Sequence, residues 1–127
     1  MNLFTCATNG DIEGIRELIS SGTPVTGRDT VGSTALHLAV AGGHKEVVEL
    51  LLEADIGVNV TDRARQSPLD FACHDGFAEI AEVLLQAGAD PKNLDLNGAS
   101  SIHWAASHGH LECLKLVVAA GADPTMA

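Results

Sequence analysis

Tyrosine is absent from this 127-residue chain, and aromatic residues make up only 3% of it. A core without large rings must be filled by Ala, Val, Leu and Ile, which suits thin, closely stacked helices better than a thick globular centre. Bases are scarce as well: 7 Lys and Arg stand against 17 Asp and Glu, a formal charge of −10. Nucleic-acid binding rests mainly on neutralising phosphates with Lys and Arg, so no nucleic-acid partner is expected. The acidity serves solubility instead. No apolar run approaches the ~18 residues of a membrane-spanning helix, so no membrane insertion is expected. The opening MNLFTCATNGD has no basic segment followed by a long apolar stretch, so it does not read as a secretory signal. Cysteine is limited to Cys6, Cys73 and Cys113, an odd number without a CxxC, which favours a reducing compartment.

Against these absences stands a repeat. The stretch from Asp29 to Thr61 reads DTVGSTALHLAVAGGHKEVVELLLEADIGVNVT. It holds an apolar run at Ala35 to Val40, a break at Gly42-Gly43 and a second amphipathic run from Lys45 to Leu52. Shifted forward by 33 residues it overlies DRARQSPLDFACHDGFAEIAEVLLQAGADPKNL, and shifted again it overlies DLNGASSIHWAASHGHLECLKLVVAAGADPTMA. A gapless period between ~20 and ~50 residues marks stacked units, each too small to bury its own apolar face. The chain therefore divides into units 1–28, 29–61, 62–94 and 95–127 of a single domain spanning 1–127. The first unit is truncated and lacks the turn that opens the others.

Taken in order, the first unit is expected to form one helix from about Met1 to Thr8 and another from Ile12 to Ser20, closed by Gly22. Ile12, Ile15, Leu18 and Ile19 recur at helical spacing and leave Asp11, Glu13, Arg16 and Glu17 outside. Thr34, Ser67 and Ser100 precede the later first helices as side-chain caps, and Pro68 suits a first turn. Four residues depart from the pattern, among them Phe77, which stands where the neighbouring units have His44 and His110. Asp55 stands where a helix-end glycine belongs, at a cost of about 1 kcal/mol for a left-handed backbone. Arg65 replaces the glycine seen at Gly32 and Gly98, and Asp70 replaces the histidine seen at His37 and His103.

The opening Asp, the turn Gly, and the helix starts STALHLA, QSPLDFA and SSIHWAA belong to one pattern. The junctions Gly43-His44, Gly76-Phe77 and Gly109-His110 and the closings LLLEADIGVN, LLQAGAD and VVAAGAD complete it. Together they resemble the ankyrin repeat family along the whole chain. The resemblance implies an all-α solenoid of stacked antiparallel helix pairs with projecting β-turn fingers. It also implies binding of a protein partner on the concave face made by finger tips and inner helices, a shape that shelters no reaction. Carried over by position, the fingers expose Arg28, Thr30, Val31 and Ser33, then Arg63, Ala64, Arg65 and Gln66, then Leu96, Asn97 and Ala99. The inner helix ends expose Ala41, Gly42, His74, Asp75, Ser107 and His108, while Leu36, Ala39, Leu69, Ala72, Ile102 and Ala105 pack. Asn59 in VNVTD resembles asparagines that are hydroxylated in some members of the family.

Two features admit two readings each. Arg28, Arg63 and Arg65 are either separately solvated or a basic patch able to receive an acidic or phosphorylated segment. Trp104, the only Trp, is either groove-side packing in the place of Leu38 and Phe71 or an aromatic anchor for a partner. Other clusters read plainly. His103, His108, His110 and Cys113 crowd together, but a helix–loop–helix turn divides them, and His103 and His110 recur as His37 and His44. They read as structural hydrogen-bonding residues, so no metal site is expected. Cys113 reads as a small core residue. Asp70, Cys73 and His74 make no nucleophile, because adjacent helical side chains diverge by about 100°. No catalytic residue and no cofactor are expected.

The residues thus point to a non-catalytic protein–protein interaction module, whether scaffold, adaptor or regulatory subunit. It is expected to be monomeric and cytoplasmic or nuclear, and its partner is another protein. The alternative is a structural spacer or regulatory segment excised from a longer enzymatic or signalling protein. That alternative rests on the last helix, LECLKLVVAA, which shows no dedicated polar outer face, and on the chain ending at a unit boundary.

Overall fold

The computed structural model describes residues 2–121, so Met1 and the close of the last unit, residues 122–127, lie outside the described residues. Among the described residues eight helices follow one another: α1 (Leu3–Asn9), α2 (Ile12–Ser20), α3 (Ala35–Ala41), α4 (Lys45–Glu53), α5 (Pro68–Asp75), α6 (Ala78–Gln86), α7 (Ser101–Ser107) and α8 (Leu111–Ala119). No strand occurs among the described residues. Helices this short are marginal alone in water and depend on packing. That packing is regular. α1, α3, α5 and α7 form an inner row, α2, α4, α6 and α8 an outer row, and each helix also lies against its pair-mate.

The 33-residue register carries core onto core. Leu3, Leu36, Leu69 and Ile102 occupy one level of the inner row, and Cys6, Ala39, Ala72 and Ala105 occupy another, all of them buried. Val47, Ile80 and Cys113 repeat in the outer row, followed by Leu51, Leu84 and Val117. Small residues facing small residues let the helices approach, which is how a chain poor in rings still fills its interior.

Each inner helix starts on a side-chain cap. Thr34 and His37, and Ser67 and Asp70, form reciprocal capping boxes, Pro68 opens α5, and at α7 the His103 Nδ1 accepts from Ser100 N. The first helix starts later than the spacing suggested, at Leu3 rather than Met1. The reason is Asn2, whose Oδ1 accepts from Thr5 N at 3.0 Å and so acts as the cap. α2 spans 12–20 as expected, with Asp11 Oδ1 accepting from Gly14 N at 3.0 Å.

Histidines join neighbouring pairs. His37 Nε2 donates to Gln66 O (2.9 Å), His44 Nε2 to Thr8 O (2.9 Å) and His110 Nε2 to His74 O (3.1 Å). The His110 ring lies so close to Gly76 that a Cβ there would come within 2.5 Å of Nδ1. Asp55 and Arg65 do adopt left-handed backbone, at φ 63° and 61°.

Candidate functional site

Three turns of one design project from the stack. Asp29 N donates to Ser33 O (2.9 Å), Asp62 N to Gln66 O (3.1 Å) and Asp95 N to Ala99 O (2.8 Å). Each aspartate then turns its Oδ1 inward to accept two amides: Val31 and Ser33, Ala64 and Gln66, Asn97 and Ala99. Arg63 N donates to Val31 O (3.3 Å) and Leu96 N to Ala64 O (2.9 Å), so the turns form one hydrogen-bonded row.

This row settles where the expected finger residues stand. Arg28, Thr30, Val31, Arg63, Arg65, Leu96 and Asn97 are exposed, whereas Ala64, Gln66 and Ala99 are half-buried. Ser33 is a correction: it is buried, 4% exposed, because both its amide and its carbonyl are held by Asp29 beneath the turn. Arg28 is exposed but engaged. Its guanidinium donates to Gly32 O (2.9 Å) and to Thr61 O, tying one turn to the approach of the next. The three arginines are therefore not equivalent, since one of them staples the row.

Beside the row lies a depression of about 270 Å³. Phe71, His74 and Trp104 supply rings, Asp70 and Asp75 supply carboxylates, and Ala41 and Gln66 complete the rim. Gln66, His74, Asp75 and Trp104 were expected on this face from their positions in the repeat. Asp70 and Phe71 were not, although the sequence carried a signal: an aspartate where the neighbouring units have histidine. His37 reaches across to the next turn through Gln66 O, but the shorter Asp70 cannot. Its Oδ2 accepts from Ser67 N (3.0 Å) and Asn93 Nδ2 (3.2 Å) within its own region, leaving a carboxylate in the wall of the depression. Burial raises the Asp70 pKa to about 6, the charge of Asp95 adds to this, and the hydrogen bonds from Ser67 and Asn93 oppose it.

The rings form a connected cluster. The His74 ring centroid lies 5.0 Å from that of Trp104 and 4.3 Å from that of His108, and Trp104 and His108 are 5.9 Å apart. His74 Nδ1 donates to Asp75 Oδ1 at 2.8 Å. His108 Nδ1 donates to Trp104 O (3.1 Å), and Ser107 Oγ to His103 O (2.8 Å), so both side chains are locally fixed yet exposed. Trp104 is half-buried, so it packs on its neighbours and still lines the depression; its Nε1 is a buried donor with no acceptor among the described residues. Arg63 and Arg65 do not line this depression, so the structure separates the basic and aromatic candidates.

The remaining clusters serve the scaffold. His103 Nδ1 accepts from Ser100 N (3.0 Å), and the Cys113 thiol lies 3.9 Å from Ala72 O. Among the described residues no group of three or more His, Cys, Asp or Glu is placed to share a metal ion. The neighbouring Cys113 thiol and burial push the Cys73 thiol above its usual range. Asn59 bridges two loops, donating to Gly88 O (3.2 Å) and accepting from Asp90 N (2.8 Å). No helix is long and apolar enough to cross a membrane among the described residues.

Comparison with known proteins matches this architecture. The chain is 53% identical over 53 residues to a serine/threonine-protein kinase 12 of Arabidopsis thaliana, covering 42% of this chain and 12% of that one. It is 42% identical over 50 residues to osteoclast-stimulating factor 1 of Monopterus albus, covering 39% and 23%. It is 36% identical over 55 residues to an L-asparaginase of Dirofilaria immitis, covering 43% and 9%. The matched stretch is thus less than a quarter of the length of each of these relatives. The family model described as ankyrin repeats in three copies matches residues 3–95 and again residues 58–127. With these matches laid over the helix pairs and finger row, the chain belongs to the ankyrin repeat family.

Proposed function

We propose that this chain is a non-catalytic protein-binding module whose partner lies along the face shared by the finger row and the inner helix ends. The observation that carries the reading is the depression itself. It gathers Trp104, His74, Phe71 and two carboxylates in one place. Aromatic side chains seated in pockets beside polar groups dominate the energetics of protein interfaces. Arg63, Arg65, Leu96 and Asn97 extend that surface along the turns, all exposed. The match to parts of proteins named as a kinase, a stimulating factor and an asparaginase fits a module joined to unrelated activities. On this reading the four helix pairs act as one domain, monomeric and resident in the cytoplasm or nucleus.

The test is capture of partners from lysate, identified by mass spectrometry, with the wild type and with Arg63→Ala/Arg65→Ala/Trp104→Ala. The variant should retain helical circular dichroism and lose the captured protein. Unchanged capture would remove these residues from the interface. A second reading makes the stack a spacer or regulatory segment of a longer protein, as the greater length of the relatives would allow. Replacing it by an inert array of equal length would then preserve the parent's function.

A further inference from the structure

We infer that the depression between α3, α5 and α7 takes a basic side chain, a lysine or arginine of the bound partner segment. This deepens the reading above and rests on it. Its volume of about 270 Å³ lies below the roughly 300–1,000 Å³ typical of small-molecule sites, so it suits one side chain rather than a free cofactor. Trp104 and Phe71 line it with aromatic rings, and the electron-rich face of an indole attracts ammonium and guanidinium groups.

The charge around it has one sign. Asp70 is 2% exposed and makes no ion pair among the described residues, and Asp75 stands at the last position of α5. No Lys or Arg lines the depression, and the His74 imidazole at its rim is hydrogen-bonded to Asp75. The C-terminal end of a helix carries partial negative charge, which adds to the attraction for a cation. A buried carboxylate without a counter-charge is costly, and an incoming ammonium would supply the missing partner. The long apolar stem of lysine or arginine suits a passage between rings, with its charged head toward the acids. An acidic or phosphorylated residue fits this position badly: it would meet two carboxylates. Any role for Arg63 and Arg65 in receiving such a residue belongs elsewhere on the finger row.

Trp104 makes the test direct, because it is the only Trp in the chain and its fluorescence reports on this depression alone. The probes are three acetylated and amidated pentapeptides, AAKAA, the same peptide with norleucine for lysine, and AAEAA, together with n-butylammonium as the side chain in isolation. The lysine peptide and n-butylammonium should change Trp104 fluorescence and its indole N–H resonance saturably, in the millimolar range. The norleucine peptide should bind at least tenfold more weakly, and the glutamate peptide should give no saturable change. Asp75→Asn, at an exposed position, should weaken the lysine peptide several-fold, and Asp70→Asn/Asp75→Asn about tenfold or more, with unchanged helical content.

Equal binding of the norleucine peptide would show an apolar site and overturn the inference, as would saturable binding of the glutamate peptide at Trp104. The two readings fail separately. If capture from lysate depends on Trp104 while the lysine peptide leaves its resonance unmoved, the interface stands and the cation site falls. If the lysine peptide binds while capture ignores Trp104, the cation site stands and the interface assignment falls.

Discussion

At Asp70 a carboxylate occupies the position that His37 and His103 hold in the neighbouring units, and burial there raises its ionisation to about pH 6. In the unfolded chain the same group ionises near 3.8. Between those values the native state binds more protons than the unfolded one, so stability falls as pH rises. The contribution is fully present below 3.8 and lost as pH passes through about 6. Its size is on the order of 3 kcal/mol at ~1.4 kcal/mol per pKa unit. Asp70→Asn keeps the shape and removes the titration. Denaturant unfolding at pH 4 and pH 7 should show the variant gaining on the wild type by about that amount across the interval. A constant difference would mean that Asp70 titrates normally. His37 runs the other way, since burial lowers its pKa, and its stability is present above 6.5 and lost as pH falls through the lowered value. Comparing wild type with Asp70→Asn cancels that term, because His37 is common to both.

Backbone geometry is the concern of whole elements, and here the turns divide into those that suit their residue and those that do not. Asp55 after α4 and Arg65 in the second finger turn sit at φ 63° and 61°, a region that costs a residue with a Cβ about 1 kcal/mol relative to glycine. Asp55→Gly should therefore raise unfolding free energy by about 0.5–1 kcal/mol, and Arg65→Gly by a similar amount. Gly76→Ala should do the reverse and cost about 1–3 kcal/mol, because it adds left-handed strain to a clash with the His110 ring. Thermal and denaturant melts of the three variants decide the matter, and a destabilised Asp55→Gly would show that the aspartate side chain, not its backbone, matters. Both strained positions were legible in the sequence, because a 33-residue register shows at once where glycine is missing. So were the caps and the histidine ties. Ser33 was not: exposure of a finger residue depends on which way the turn faces, and the repeat pattern carries only its position. Nor was the depression, which requires Ala41, Gln66, Asp70 and Trp104 to meet from three units, a juxtaposition that periodicity within one unit cannot express.

Across the molecule, stacking makes stability a matter of neighbours. α5 packs on α3 and α7, while α1 packs on α2 and α3, so contacts pass along the rows from one pair to the next. A solenoid of this kind behaves as a sum of unit and interface terms, and a perturbation should be felt by adjacent units and little beyond them. Leu36 and Leu69 lie at the same level of adjacent inner helices and are fully buried; Leu3 and Ile102 lie at that level but are separated by two intervening helices of the inner row. Leu36→Ala and Leu69→Ala should each cost about 2–5 kcal/mol. Their double variant should depart from additivity by more than about 0.5 kcal/mol, because the two cavities open on one shared interface. Leu3→Ala and Ile102→Ala should instead add to within about 0.5 kcal/mol. Coupling of the distant pair as strong as that of the adjacent one would show a single cooperative core in place of a chain of interfaces. The proposed cation site, which draws on α3, α5 and α7 together, would then respond to substitutions anywhere in the molecule. With nearest-neighbour coupling, Leu69→Ala should disturb the Trp104 fluorescence response to the lysine peptide and Leu3→Ala should leave it unchanged.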